Sequence, residues 1–588
     1  MLANCDGLQR PIAKPVRLKI HGRNGSLRGT DAGNMRRPKS QTRVTIQMPT
    51  ITIDGKRCEY EGEKTILQVA LENDIEIPHY CYHPAMSIVA SCRICLAEVA
   101  QPNPRKDNQV ELLPKLVPTC QTMAAGGMEI YPQSPKSVAN QKAVMEYLLI
   151  NHPLDCPVCD QAGECSLQDY SFKYGRSTSR FNEVKIKQPK KDLGPHVLLY
   201  ADRCIMCSRC VRFTREITGT AEIGVFGRGA EEQIDIFPGR SLDNALSANV
   251  IDICPVGALL DKDFLMSMRV WNLASTASID GITCSGDNIS IEHNEGRIYR
   301  VKPRTNLEVN QWWISDEIRF GWKFVHDEAR LHTPMHRIEA GHDPCGWDEA
   351  YRQIADRLHQ IVEASGSGSL GLQVSPMLSC EDAFLLGRLA LALDPQAILG
   401  VGPIPRVGQD QNFPGGYTVY AEKCPNARGV RRVLSGLTET VLDHQQFLEA
   451  AVGVQAILLT GNYPSQWVTD STASLISDKY TVLIDTLTGR GLTSADVVLP
   501  TATWAEKDGT FENVHGRLQS FQQAVPVIEM AKCEGQIALD LSVACGHGVH
   551  TRFNATEVRQ EIGGALLTDV HHPDRSSQPT PDLQYVAL

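Results

Sequence analysis

The sequence predicts a multidomain protein in which α+β domains come first and an α/β domain comes last. Its 588 residues are too many for one hydrophobic core. Most of its nineteen cysteines bunch in closely spaced groups before residue 260, which is typical of small metal-binding domains. After about residue 345, helical patterns alternate with short apolar runs such as 454–459 and 481–484, which indicates a parallel sheet covered by helices.

The overall composition narrows the classes of function. The hydrophobic fraction of 42% and the charged fraction of 21% are ordinary for a globular protein. No apolar run approaches the roughly eighteen residues of a membrane span. The net charge of −10 argues against a nucleic-acid-binding protein. Cysteines spaced as C-x-x-C in a chain of this length favour metal-binding thiolates in a reducing compartment over a secreted disulfide scaffold.

Residues 1–49 form a basic leader that we expect to be disordered. They carry ten Lys and Arg residues against two Asp residues, a composition that resembles a mitochondrial transit peptide. A flexible tail and an upstream sequence that is not translated are the alternatives. Met48 opens a segment that is typical of a domain start.

The first cysteine pattern lies in residues 50–132. Strands at 51–53 and 57–61 flank the turn Asp54-Gly55, and Thr65 is expected to cap the following helix. The spacing C-x10-C-x2-C with a later fourth cysteine is similar to that of plant-type [2Fe–2S] ferredoxins, which indicates a ferredoxin-like β-grasp domain. A zinc site is the alternative, and Cys58 competes for the fourth position. The predicted ligands are Cys81, Cys92, Cys95 and Cys120.

The second pattern lies in residues 133–190, after an amphipathic helix predicted at 136–150. It is H-x3-C-x2-C-x5-C, and three thiolates with one imidazole can complete the coordination of a [4Fe–4S] cube. An uncharged imidazole in place of a thiolate is expected to raise the reduction potential. A Cys3His zinc site is the main alternative. The predicted ligands are His152, Cys156, Cys159 and Cys165.

The third pattern lies in residues 191–270 and is C-x2-C-x2-C, with a Cys-Pro pair further on. It is half of the double motif of bacterial ferredoxins, so the Cys-Pro cysteine is expected to fold back onto the triplet and complete a second [4Fe–4S] site. The predicted ligands are Cys204, Cys207, Cys210 and Cys254. Three arginines adjoin predicted ligands and can stabilise a reduced cluster, although solvated surface side chains are an equal alternative: Arg93, Arg203 and Arg209.

The remaining cysteines are isolated, and we expect them to be buried core residues: Cys5, Cys58, Cys284, Cys345, Cys380, Cys424, Cys533 and Cys545. Motifs for other chemistry are missing from the sequence. No G-x-G-x-x-G follows a strand and opens a helix, no P-loop is present, and no Ser/His/Asp arrangement stands out. The sequence therefore predicts a chain that carries electrons without a catalytic site of its own.

The order of the motifs resembles that of the large iron–sulfur subunit of NADH–quinone oxidoreductase (respiratory complex I). The resemblance is strong over about residues 48–330 and rests on C-Y-H-P-A-M-S, C-R-I-C-L-A-E-V, H-P-L-D-C-P-V-C-D-Q-A-G-E-C, D-R-C-I-M-C-S-R-C-V-R-F and D-I-C-P-V-G-A-L. It continues weakly beyond, where residues 495–517 are similar to a segment of molybdopterin oxidoreductases.

The resemblance implies one [2Fe–2S] and two [4Fe–4S] clusters that pass electrons from an FMN-bearing, NADH-oxidising partner through downstream cluster subunits toward quinone. It implies no FMN and no molybdenum on this chain, and a molybdopterin-oxidoreductase-like domain without metal at 336–588, ending in a disordered tail. Some family members carry a further [4Fe–4S] cluster. Residues 271–335 retain only Cys284, so we predict a small β-rich domain without a cluster there.

The resemblance also implies a hetero-oligomer that meets the membrane only through its complex and binds no nucleic acid. The expected location is the cytoplasmic face of the bacterial inner membrane, and the matrix side of the mitochondrial inner membrane is the alternative. A different class of function is a molybdenum-dependent, NAD-linked formate dehydrogenase-type catalytic subunit. Cys380 is the one candidate metal ligand for that function, and Cys284 alone cannot build the cluster that such enzymes place beside the metal.

Overall fold

The computed structural model of the protein describes residues 48–573, apart from residues 340 and 565. The predictions for the basic leader, up to residue 47, and for the tail after residue 573 therefore lie outside the described residues. None of the described helices combines the length and the apolar character that a membrane span requires.

The first sheet contains six strands around a short helix. Its elements are β1 (Thr50–Ile53), β2 (Lys56–Glu59), α1 (Ile66–Glu72), β3 (Leu96–Asn103), β4 (Gln109–Leu112), β5 (Val117–Pro118) and β6 (Glu129–Tyr131). The strand order is β2-β1-β6-β3-β4, with β5 paired to β3 and β1 parallel to β6. Asp54 and Gly55 both have positive φ, as a tight hairpin turn requires, and Thr65 and Gln68 form the predicted capping box.

Four helices and two small sheets follow. They comprise α2 (Pro135–Leu149), α3 (Ser166–Tyr174), β7 (Lys190–Asp192), β8 (Val197–Tyr200), α4 (Arg209–Arg212), β9 (Ile223–Phe226), β10 (Gln233–Ile236), α5 (Asn249–Ile253) and β11 (Leu259–Asp261). One sheet has the order β11-β8-β7, and β9 pairs with β10. A π-helical turn at Phe213–Ile217 continues α4 directly.

The next segment is the predicted β-rich one. Three antiparallel strands, β12 (Ala274–Ile279), β13 (Asn288–Asn294) and β14 (Arg297–Pro303), precede the short helix α6 (Asp316–Phe320). The turn between β13 and β14 falls at Glu295 and Gly296, both with positive φ, where the sequence predicts it.

The last part of the chain is an α/β layer. Its elements are β15 (Met335–Ile338), β16 (Gly341–Pro344), α7 (Trp347–Ser365), β17 (Leu370–Val374), α8 (Cys380–Leu393), β18 (Ile398–Val401), β19 (Gln411–Asn412), β20 (Thr418–Val419), α9 (Ala427–Ser435), α10 (His444–Ala450), β21 (Ala456–Thr460), α11 (Asp470–Ile476), β22 (Tyr480–Asp485), β23 (Val497–Pro500), β24 (Gly509–Glu512), β25 (Leu518–Phe521), α12 (Glu534–Ala544) and α13 (Ala555–Ile562).

The main sheet of this layer has the order β16-β15-β23-β22-β21-β17-β18. Its last five strands are parallel, and β15 joins them in the antiparallel sense. The residues of β17 and β21 are all buried, and α8 is buried on most of its surface, as expected for a parallel sheet covered on both faces. These strands fall on the apolar runs that predict them.

Candidate iron–sulfur sites

The first predicted ligand set is drawn together as two pairs of thiols. The sulfurs of Cys81 and Cys92 lie 3.5 Å apart. The Cys95 and Cys120 thiols also hydrogen-bond each other, and Thr119 holds their loops together through its Oγ1, 3.0 Å from the Cys95 carbonyl oxygen. Two pairs of thiolates suit a [2Fe–2S] cluster, in which each iron takes two protein ligands. Cys58, the rival fourth ligand, instead directs its thiol to the Lys56 carbonyl at 3.5 Å.

Hydrogen bonding within each pair prepares one thiol to lose its proton. The Cys92 thiol lowers the pKa of Cys81 to about 5, against the opposing effect of burial. In the same way, the Cys120 thiol lowers the pKa of Cys95 to about 7. Thiolates are the form that binds iron. The same hydrogen bonds, with burial, raise the pKa of the partner thiols Cys92 and Cys120, so one thiol of each pair is prepared for binding and the other is not.

Three residues of the second predicted set lie along a groove at the end of α2. His152, Cys156 and Cys165 line this groove, which is open to solvent. Cys159 does not line the groove. Its sulfur lies against Gly257, at a point where any Cβ atom would overlap it.

His152 has the properties of a ligand nitrogen. Its buried Nδ1 atom has no hydrogen-bond partner among the described residues, which is unusual for a buried polar atom. Burial, with Arg203 and Lys185 nearby, lowers the pKa of the imidazole to about 4. The ring is therefore neutral at physiological pH, as coordination requires.

The third predicted set lines a single cavity. Cys204, Cys207, Cys210 and Cys254 line one small cavity whose remaining wall is largely apolar. A positive φ angle at Met206 bends the ligand loop, and the Met206 amide donates to the Cys204 sulfur at 3.4 Å. Burial raises the pKa of Cys204 to about 12 and that of Cys207 to about 11. Thiolates in this cavity therefore need positively charged iron to stabilise them.

The spacing of these side chains bears on the zinc alternative. One Zn²⁺ ion holds its sulfurs at about 2.3 Å, which places neighbouring sulfurs roughly 4 Å apart. Across the part of the chain that the structure describes, no three His, Cys, Asp or Glu side chains are grouped closely enough to hold one metal ion.

The arginines beside the ligands differ in their surroundings. Arg93 is exposed, as a solvated side chain would be. Arg203 is buried, pairs with Asp155 at 2.9 Å and stacks on the Tyr200 ring. Arg209 and Arg212 both lie between the first and third sets. Arg212 was not identified from the sequence, because nothing in the local pattern indicates its long-range partners.

Residues 280–287 show why a further cluster does not fit the β-rich segment. Cys284 is the one cysteine in this stretch of sequence, and it is buried. The same stretch holds two buried carboxylates: Asp280 accepts hydrogen bonds from the Ile282 and Thr283 amides, and Tyr417 donates to Asp287. Burial raises the pKa of Asp280 to about 6 and that of Asp287 to about 8. This donor set does not match four thiolates.

In the α/β layer, the crevice where parallel sheets bind ligands lies between the carboxyl ends of β17 and β21. The buried Tyr463 side chain lies at this edge of the sheet, donating to the Pro403 carbonyl at 2.7 Å and stacking on Trp467 at 5.2 Å. A Cβ atom at Gly402 would lie 2.9 Å from the Tyr463 hydroxyl. The Asp485 carboxylate nearby accepts three hydrogen bonds from the protein itself. Bulky and internally hydrogen-bonded side chains therefore line this edge.

Cys380 is placed equally poorly for metal binding. It is fully buried at the start of α8, 3.6 Å from the Asn426 side-chain nitrogen. A Cβ atom at Gly429 would lie 2.6 Å from its sulfur. The side chain is a packed core residue, as expected for an isolated cysteine.

Comparison with known proteins agrees with this order of sites. Family models match as follows: "2Fe-2S iron-sulfur cluster binding domain" at 47–135, "NADH-ubiquinone oxidoreductase-G iron-sulfur binding region" at 141–180, "NADH-quinone oxidoreductase subunit 3, ferredoxin-like domain" at 194–260, "NADH-ubiquinone oxidoreductase NDSU1/NuoG-like, 4Fe-4S domain" at 273–323 and "Molybdopterin oxidoreductase" at 409–544. The predicted fold class is thus confirmed. The chain is an iron–sulfur protein with [2Fe–2S]- and [4Fe–4S]-type domains.

Named relatives narrow this class. The mitochondrial 78 kDa subunit of NADH-ubiquinone oxidoreductase from Neurospora crassa is 39% identical over 60% of this chain and 47% of the relative. A subunit of NADH-quinone oxidoreductase from the bacterium Rickettsia bellii is 40% identical over 53% of this chain and 44% of the relative. Over a little more than half of its length, the chain is thus similar to iron–sulfur subunits of NADH–quinone oxidoreductase, the family that its motifs resemble.

The matches cover part of each relative. The mitochondrial iron-sulfur protein 1 of NADH dehydrogenase from Solanum tuberosum is 40% identical over 55% of this chain and 43% of the relative. The chain thus spans about half the length of the curated relatives it matches. A solved structure of an NAD+-reducing [NiFe]-hydrogenase covers 38% of this chain and 91% of its own, with 28% identity and a TM-score of 0.32.

Proposed function

We propose that this chain is an electron-relay subunit of NADH–quinone oxidoreductase. It holds one [2Fe–2S] cluster and two [4Fe–4S] clusters, each of which accepts and releases one electron when bound. The observation that carries this proposal is the four-thiol cavity of the third set, together with the paired thiols of the first. The ligands are Cys81, Cys92, Cys95 and Cys120; His152, Cys156, Cys159 and Cys165; and Cys204, Cys207, Cys210 and Cys254.

The relay is divided along the chain at the limits that the sequence predicts. Residues 50–132, 133–190 and 191–270 hold one site each, and the six-stranded sheet falls wholly within the first of these ranges. Residues 271–335 carry no cluster, because they supply one thiol and a set of buried carboxylates. Residues 336–588 hold no molybdenum, because the bulky Tyr463 side chain lies at the edge of the sheet where a pterin would bind.

Electrons enter from an FMN-bearing, NADH-oxidising partner and leave through downstream cluster subunits toward quinone. Exposed apolar side chains around the second site support such contacts: Phe172 is 98% exposed and Leu154 is 87% exposed, and both line the groove beside His152. The complex is peripheral to a membrane, on the cytoplasmic face of the bacterial inner membrane, or alternatively on the matrix side in mitochondria.

The third site gives the sharpest test, because all four of its thiols face one cavity. In Cys204→Ser, the EPR signal of one [4Fe–4S] cluster should disappear from the reduced, anaerobically purified protein, with a loss of about four irons per chain. Cys545→Ser is the matched control, since that buried thiol lies in the core of the α/β layer. Unchanged spectra from the Cys204 variant would contradict the assignment.

A further inference from the structure

Two arginines occupy the space between the first and third ligand sets. Arg209 donates from one Nη atom to the Tyr82 carbonyl at 2.6 Å and from the other to the Ile253 carbonyl at 3.2 Å. Tyr82 follows the first-set ligand Cys81, and Ile253 precedes the third-set ligand Cys254. A single guanidinium therefore spans the gap between the two sites.

Arg212 reaches the same loop from one turn further along. It donates to the Cys81 carbonyl and to the Ser87 carbonyl, the latter at 2.6 Å. Among the described residues, every hydrogen bond that these two guanidiniums donate ends on a backbone carbonyl, and their Nε atoms, shielded from solvent, have no partner. Neither arginine pairs with a carboxylate in the part of the chain described.

Three other buried arginines in the described part of the chain pair with carboxylates. Arg203 pairs with Asp155, Arg319 with Asp252 and Arg330 with Glu506. A buried cation without a counter-charge is costly, so the contrast calls for an anion near Arg209 and Arg212. Aromatic rings close the gap on one side, where Trp313 stacks on His83 at 5.4 Å and contacts Phe213 at 5.0 Å, so water does not screen the charges well.

The two proposed clusters on either side of Arg209 can supply the negative charge that this arginine needs. An iron–sulfur cluster held by four thiolates is negative, and it gains one further negative charge when it is reduced. Arg209 lines the cavity of the third set, and it also donates to the carbonyl of Tyr82, the residue that follows the first-set ligand Cys81. The guanidinium therefore faces ligands of two different sites at once.

We propose that Arg209 is a shared counter-ion of the first and third clusters, stabilising the reduced form of each and raising both reduction potentials together. This inference rests on the proposed function. Arg209 acts through the cluster charges and its contacts to the loop backbone, so it is a tuning and positioning residue. The second site has its own arginine, Arg203, which is paired with Asp155.

The test is a redox titration of the full chain, purified without oxygen and monitored by low-temperature EPR. In Arg209→Gln, the midpoint potentials of the first and third clusters should both shift to more negative values, while that of the second cluster stays at the wild-type value. Arg209→Lys, which keeps the charge, should hold both potentials near the wild type. Arg215→Gln, on the exposed side of the same turn, is the matched control and should change none of them.

Several results would overturn the inference. Unchanged potentials in Arg209→Gln, or a shift of one cluster alone, would show that the charge is not shared. Loss of either cluster in both Arg209→Gln and Arg212→Gln would assign the arginines a purely structural role. Wild-type protein without these clusters would instead contradict the proposed function itself, so the two failures are distinguishable.

Discussion

At the scale of single residues, His152 differs from the other proposed ligands because it brings nitrogen in place of sulfur. Its Nδ1 atom is buried without a partner among the described residues, and its imidazole is neutral because burial and neighbouring cations oppose protonation and lower its pKa. A neutral ligand leaves the site one negative charge short of a four-thiolate site. That difference favours addition of an electron.

Replacing this residue tests its role directly. In His152→Cys, the second cluster should persist with a potential lower by on the order of 100 mV, the effect of one nearby charge in a partly screened site. A redox titration followed by EPR measures the shift. His547→Cys, at an exposed position, is the control and should leave all potentials unchanged. A second cluster whose potential does not fall would count against ligation by His152.

Single residues also show where sequence reasoning stops. The spacing of the cysteines predicts the ligand sets, because short-range loops determine which sulfurs can meet. It gives no means of separating the exposed Arg93 from the half-buried Arg209, whose Nε atom is shielded from solvent, since both simply adjoin a cysteine. Arg212 gave no signal at all, because its partners Cys81 and Ser87 lie more than a hundred residues away in the sequence.

At the scale of elements, local chemistry predicts most of what is observed. The Asp54-Gly55 turn, the Thr65 cap and the apolar strands of the α/β layer follow from turn propensity, capping and periodicity. By contrast, these local signals do not predict that the loop before β11 lies close to the second site. This close approach depends on a single glycine, Gly257, whose bare Cα lets the Cys159 sulfur pack against it.

This contact predicts a specific effect of one methyl group. In Gly257→Ala, the added Cβ would overlap the Cys159 sulfur, so the second cluster should be lost or destabilised while the first and third remain. EPR spectra and iron content of the purified variant measure this. Gly126→Ala adds its methyl to open space and should behave as the wild type. A normal second cluster in Gly257→Ala would show that Cys159 does not need its present position.

At the scale of the whole molecule, contacts between distant segments hold the second site in place. Arg300 on β14 forms a two-pronged ion pair with Glu164, at 2.9 and 2.8 Å, and Glu164 immediately precedes the ligand Cys165. The β-rich segment thus supports a site to which it contributes no ligand. Such a role cannot be predicted from spacing, because the paired charges lie 136 residues apart.

The α/β layer also contains a feature that cannot be predicted from the sequence. Its alternating helices and strands are evident in the sequence, and so is its similarity to molybdopterin oxidoreductases. Tyr463 lies at the edge of this sheet. In the sequence it is an ordinary aromatic residue after a strand, and nothing there predicts its position. The layer therefore combines an architecture similar to that of molybdopterin oxidoreductases with a bulky aromatic side chain, Tyr463, at the edge of its sheet.

The central claim is that three ligand sets in the first half of the chain hold iron–sulfur clusters. The most direct measurement is iron, sulfide and zinc analysis of the full chain purified without oxygen, combined with EPR of the reduced protein. We expect a brown protein with about ten irons per chain and the signals of one [2Fe–2S] and two [4Fe–4S] clusters. A colourless protein that carries zinc and gives no such signals would contradict the claim.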